Sequence, residues 1–135
     1  MDWKKESAAK RMTAAEALTC VKSGDRVVFA HACGEPLDLV DALVERAGEL
    51  ERVEINHMVA MGKGAYCRPD YADAFYHKSL FVGASSREAV KDGRGDYVPV
   101  FFSEIPKLFC EGYLPPDVVL IQVSPPDKHG FCSFG

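Results

Sequence analysis

The chain reads as an α/β domain built on an open, mostly parallel sheet with helices on both faces. Three observations carry that reading. Short apolar runs rich in β-branched residues recur at residues 26–31, 53–59, 79–83 and 118–123, the composition of strands covered on both faces. Between them lie stretches whose apolar residues repeat at helical spacing. The connections are short, as strand–helix–strand units with right-handed crossovers require.

The elements follow in order. Thr13-Ala14-Ala15-Glu16 is a capping box, in which hydroxyl and carboxylate satisfy free amides at a helix start. That helix is expected to run to about Lys22 and to close on a left-handed Ser23-Gly24. Residues 26–31 form the first strand. After Cys33-Gly34-Glu35-Pro36, Leu39, Leu43, Val44, Ala47 and Leu50 mark one face of a second helix. Residues 53–59 are the second strand, followed by a loop, Met61-Gly62-Lys63-Gly64, extending towards Pro69. Residues 79–83 are expected as the third strand, with Ser85 or Ser86 capping a helix towards Gly93. Gly93-Arg94-Gly95-Asp96 reads as a turn and residues 97–101 as extended, Pro99 marking an edge or a strand end. Ser103-Glu104-Ile105-Pro106 opens a helix with Leu108 and Phe109 as buried positions before Gly112. Residues 118–123 close the series.

A parallel sheet gathers the carboxyl ends of its strands on one edge, where such folds bind ligands. Residues 31–36, 57–64 and 83–87 meet there. The turn at 31–36 suits either of two roles, a steric junction or a set of amides facing an anion or carbonyl. Residues 58–64 have neither the spacing of a P-loop nor a dinucleotide-binding fingerprint. Lys63 reads as a solvated loop lysine. Glu35 is the best-placed acid, and its expected partners are the amides that open the next helix. Cys33 with His31 or His57 would make a thiol nucleophile and base, a pairing nothing in the spacing enforces.

Composition narrows the classes. The formal net charge is −4, which gives no reason to expect a nucleic acid or an anionic membrane as partner. No apolar run approaches the roughly 20 residues of a membrane span. The opening Met1-Asp2-Trp3-Lys4-Lys5-Glu6 lacks the apolar core of a signal peptide, so the cytoplasm is the expected compartment. The 5 cysteines include no C-x-x-C pair, and each is expected to be a reduced, small buried hydrophobe. His129 and Cys132 are three apart, but no second pair completes a ligand set, so no metal is expected.

Three segments together carry a family resemblance: His31-Ala32-Cys33-Gly34-Glu35-Pro36, residues 53–62 and residues 81–90. They resemble the N-terminal part of 4-hydroxybutyrate CoA-transferases, of the acetyl-CoA hydrolase/transferase family. Residues 96–106, and the run from Val118 through Ser124-Pro125-Pro126-Asp127 to His129-Gly130, extend the similarity over nearly the whole chain. The resemblance implies a two-domain enzyme with its active site between two α/β domains and no tightly bound cofactor. Its substrates would be a coenzyme A thioester and a carboxylate such as acetate. A glutamate attacks the acyl-CoA, and acyl anhydride and glutamyl-CoA intermediates keep the thioester energy from being lost to water.

That glutamate and the Gly-rich CoA-binding segment lie in the family's C-terminal half, so no catalytic residue is assigned here. Gly34, Glu35, Pro36, His57, Met58, Met61 and Gly62 are the implied cleft-lining positions, contacting the acyl group. Residues 1–135 are therefore expected to be an N-terminal domain, ending on Gly135 with no cap or polar tail, without the catalytic C-terminal domain. Two partners would be missing, that domain and a second copy in a homo-oligomer. An apolar patch is expected around Gly34, Met61, Phe131 and Phe134, favouring self-association. The alternative is a stand-alone, non-catalytic module that binds a small carboxylate or acyl-CoA.

Overall fold

The β-branched runs do pair as one parallel sheet in the computed structural model, which describes residues 3–134. Met1, Asp2 and Gly135 lie outside the described residues, and with them the expectation that rested on the terminal glycine. The strands are β1 (Arg26–Phe29), β2 (Val53–His57), β3 (Phe75–Ser79), β4 (Gly95–Tyr97) and β5 (Val118–Leu120). Across the sheet they run β4-β3-β2-β1-β5. From β1 to β4 the chain steps outward in one direction, and β5 then returns to the far side of β1. Right-handed crossovers put the outward connections on one face and the return on the other. α1 (Trp3–Lys10) buries no residue. α2 (Ala14–Ala17), α3 (Leu37–Glu45) and α4 (Arg87–Lys91) pack on the first face, and α5 (Ile105–Cys110) lies over the second.

Strand alternation gives the two faces different chemistry. Val27, Ile55 and His77 align in register on the core side, and Val27 and Ile55 pack with Leu18, Leu43, Val53 and Phe75. Arg26, Glu54 and Tyr76 align on the other side, as do Val28, Asn56 and Lys78. There Glu54 takes hydrogen bonds from Arg26, from Lys78 at 2.8 Å and from the Asn56 amide at 2.9 Å. Burial alone would raise the Glu54 pKa, but these three donors outweigh it and hold it at about 2.

The capping box forms: Glu16 N donates to Thr13 Oγ at 3.2 Å, and Thr13 N to Glu16 Oε2 at 2.8 Å. The helix is shorter than its expected reach to Lys22. After Ala17 it tightens to a 3-10 turn, Leu18–Cys20. Its free carbonyls are taken instead by Arg46, whose guanidinium donates to Leu18 O and, at 3.1 Å, to Val21 O. Two expectations in the middle of the chain are corrected. The third strand is Phe75–Ser79, not 79–83, because its alternation places His77 in the core and Lys78 against Glu54. Gly95 opens a strand rather than a turn: a Cβ there would lie 2.6 Å from His77 O, so only glycine lets β4 approach β3. Leu108 and Phe109 are half-buried rather than buried, since α5 covers only part of the second face. Cys20, Cys33, Cys110 and Cys132 are exposed and only Cys67 is buried, against the expectation for all five.

Two outcomes follow for stability. Glu54→Gln should cost about 1–3 kcal/mol at pH 7, because Arg26 and Lys78 lose their counter-charge; urea denaturation measures it, and an unchanged midpoint would contradict the arrangement. Burial pushes His77 and His57 down to about 4 from 6.5, each slightly helped by a neighbouring histidine and opposed by a backbone carbonyl. The unfolded chain therefore takes up protons below pH 6.5 while the fold resists until about 4. Stability should be full above pH 6.5 and fall steadily towards pH 4, with uptake approaching two protons on unfolding. Urea midpoints measured at half-unit pH steps would show it, and a flat profile across that window would refute it.

Candidate functional site

A turn after β1 and a loop after β2 meet at the carboxyl edge of the sheet, and one side chain joins them. The chain leaves β1 through a 3-10 turn, Ala32–Gly34, with Ala32 in the left-handed region at φ 54° and its amide donating to Val59 O at 3.0 Å. This turn delivers Glu35, 5% exposed, into the loop that follows β2. One of its carboxylate oxygens, Oε2, accepts from Met61 N at 2.9 Å and Gly62 N at 2.8 Å. Charge-assisted bonds to two amides offset much of the cost of burying a carboxylate. The expected partners were the amides opening α3; the actual ones belong to the neighbouring loop. Gly62 is glycine for this reason, since a Cβ would sit 2.7 Å from Glu35 Oε1 and 2.8 Å from Leu37 Cδ2.

Behind Glu35 stands a buried chain of polar groups. His57, at the end of β2, brings Nε2 to 4.0 Å from Glu35 Oε2, and its Nδ1 is 2.8 Å from the Tyr66 hydroxyl. Burial, with His31 nearby, depresses the His57 pKa to about 4 against the pull of the Ala30 carbonyl, so the ring is neutral at pH 7. The adjacent carboxylate favours the proton on Nε2, and Tyr66 then donates to Nδ1. Burial raises the Tyr66 pKa, keeping that hydroxyl protonated. Phe29 stacks edge-on against His57 at 5.4 Å and Tyr66 at 5.5 Å, which fixes both rings. Among the described residues, the buried side-chain atoms without a partner are Glu35 Oε1, Asn56 Oδ1 and His57 Nε2. Glu35 and His57 meet at this edge, while Asn56 faces the opposite side of β2.

Of the seven expected lining residues, the structure brings Glu35, His57, Met61 and Gly62 together. Glu35, Pro36, His57 and Met58 are buried, Gly34 and Gly62 half-buried, and Met61 is 68% exposed. Lys63 is solvated, with its ammonium 3.8 Å from Asp41. Cys33 is exposed on the 3-10 turn. Two residues escaped sequence reasoning. Tyr66 lies in a loop with no periodicity to mark it. Asn56 did leave a signal: an amide between Ile55 and His57 in a buried strand needs a partner or a purpose. Exposed apolar side chains lie at or just beyond the strand ends, among them Phe81, Tyr97, Phe101 and Ile121, and Phe131 and Phe134 are 74% and 81% exposed.

Comparison with known proteins gives this edge its context. The family model of the acetyl-CoA hydrolase/transferase N-terminal domain matches residues 1–135. The chain is 53% identical over 135 residues to a 4-hydroxybutyrate coenzyme A transferase of Clostridium kluyveri, covering 100% of the chain and 32% of that protein. It is 35% identical over 136 residues to a butyryl-CoA:acetate CoA-transferase of Anaerostipes caccae, covering 100% of the chain and 30% of that protein. Among solved structures, RipA from Yersinia pestis superposes with a TM-score of 0.91 at 28% identity, over 100% of this chain and 34% of its own. A 4-hydroxybutyrate CoA-transferase from Porphyromonas gingivalis gives 0.75 at 27% identity, over 99% of this chain and 30% of its own. The chain spans about a third of the length of these relatives. With its all-parallel sheet and its matched length, the chain belongs to the acetyl-CoA hydrolase/transferase family, through that family's N-terminal domain.

Proposed function

We propose that residues 1–135 form the N-terminal domain of a longer CoA-transferase, which moves coenzyme A between an acyl-CoA of the 4-hydroxybutyryl, butyryl or acetyl type and a carboxylate such as acetate. The observation that carries this reading is the family match across residues 1–135 together with 53% identity to a CoA transferase over the same length. The attacking glutamate belongs to the remainder of the protein. Attack on the thioester carbon would release CoA thiolate and leave an acyl-glutamyl anhydride. The thiolate then forms glutamyl-CoA as the first carboxylate departs, and the acceptor carboxylate reverses the sequence.

The part left to this chain is to hold one wall of the cleft in a fixed shape. Glu35 does so for the loop after β2, by binding the Met61 and Gly62 amides, with His57 and Tyr66 packed behind it. Glu35 is thus a positioning residue in this reading, not the nucleophile. The exposed apolar side chains at the same edge suit contact with a C-terminal domain and with a second copy in a homo-oligomer. Among the described residues no helix is long and apolar enough to cross a membrane, and a cytoplasmic enzyme is the setting we infer. The stand-alone module remains a distinct reading, favoured by one observation: a half-open apolar pocket lined by this chain alone, between β1, β2 and α5.

The decisive comparison is between the full reading frame and the 135-residue chain. The whole protein should exchange CoA between butyryl-CoA and acetate, and the short chain should not, with activity returning when the remainder is supplied as a separate polypeptide. An inactive whole protein that binds CoA esters would favour the module. Within the active protein, Glu35→Ala should lower kcat/KM by roughly tenfold or more through misplacement of the 61–62 loop. Glu35→Gln, which keeps an acceptor for both amides, should recover most of it; equal losses in both variants would overturn the positioning role.

A further inference from the structure

The loop after β2 is gripped from both sides. On one side, the turn after β1 gives the Ala32 amide to Val59 O at 3.0 Å and the Glu35 carboxylate to the amides of Met61 and Gly62. On the other side stands the turn after β3. Neither serine of that turn spends its hydroxyl on capping α4: Ser86 Oγ accepts from Gly83 N at 3.2 Å, within the turn, and Ser85 Oγ donates to Ala60 O of the loop at 3.4 Å. Gly64 closes the grip. It is buried at φ 57°, and a Cβ there would lie 2.7 Å from Ser85 Cβ and 3.2 Å from Ser85 O. Only glycine lets the loop and the turn meet so closely.

This constrained backbone carries one large apolar side chain out of the fold. Met61 is 68% exposed, on the residue whose amide Glu35 holds. Of the seven positions expected to line the cleft, Gly34 and Gly62 have no side chain and Glu35 is committed to two amides. Pro36, His57 and Met58 are buried. Met61 is left with a side chain to offer. A surface that only packs against another domain gains little from so rigid a backbone, whereas a small group bound for reaction must be held to about 0.5 Å. A thioether on three rotatable bonds also adapts to apolar chains of different length.

We propose that the turn after β3 is a second clamp on this loop, with Ser85 a positioning residue opposite Glu35, and that the two clamps aim Met61 at the acyl group, where it favours longer chains. This rests on the transferase reading and adds to it the side chain that senses acyl length and the turn that places it. An acetyl group offers that side chain one methyl; a butyryl group offers two methylenes more, and gains their burial.

The test uses the full-length protein and compares kcat/KM for butyryl-CoA, with acetate as acceptor, and for acetyl-CoA, with butyrate as acceptor. Because exchange passes through a covalent intermediate, each value reports on the donor's own acyl group. Met61→Ala should lower the butyryl-CoA value roughly tenfold, the worth of two buried methylenes, and the acetyl-CoA value far less, while Met61→Leu should keep most of both. Gly64→Ala, which forces loop and turn apart, should give the same disparity, and adding Ser85→Gly should recover part of the loss by clearing the space. If Gly64→Ala does not fold, Ser85→Gly alone decides, with a smaller loss in the same direction. No loss, or equal losses for the two donors, in Met61→Ala would remove that side chain from the acyl group. Equal losses in the clamp variants would reduce Ser85 to a structural role. Either result overturns the proposal with the transferase reading intact, and absence of exchange in the unmodified protein would overturn both.

Discussion

The geometry of the sheet's carboxyl edge depends on one buried carboxylate. Glu35 leaves the turn after β1 and is spent on the loop after β2, where a single oxygen receives the amides of Met61 and Gly62. A carboxylate shut away from water is costly unless charge-assisted bonds replace its hydration, so the pairing is close to obligatory once Glu35 is inside. Two loops from different strands are thereby fixed to each other. Phe29, His57 and Tyr66 form the support beneath them, and their buried, neutral state keeps competing charge away from the clamp.

The sheet assigns a different task to each face. One is a conventional apolar core under α2, α3 and α4. The other carries Glu54 with its three donors, and this charged group orients the amide of Asn56 two residues further along β2. α5 roofs part of the same face, where residues 98–117 cross from the outermost strand back beside β1. The reversal of direction beside β1 is where open parallel sheets present ligand crevices. Here the clamped Met61–Gly62 loop and α5 both lie close to that reversal.

Much of this was legible in the residues. The α/β class, the capping box at Thr13 and Glu16, and the positions of β1, β2 and β5 follow from periodicity and β-branched runs. β3 was misplaced because His77 and Lys78 break its apolar appearance, although each has a partner waiting across the sheet. β4 was hidden by Gly95, which reads as a turn until the neighbouring His77 carbonyl is in view. Glu35 was singled out at the right place with the wrong partners, since a sequence shows the helix that follows but not the loop that packs alongside. Tyr66 left no trace, and the exposed cysteines contradict a preference that holds only on average.

The strand order has a consequence for how the domain assembles. β1 is an interior strand between β2 and β5, yet β5 lies about ninety residues further along the chain; Arg26 N bonds Asp117 across 91 positions. Contacts of that separation are slow to close. During synthesis, β1 must therefore wait with one edge unpaired until residues 118–120 have left the ribosome. That interval, rather than any weakness of the finished fold, is when the protein is most open to aggregation.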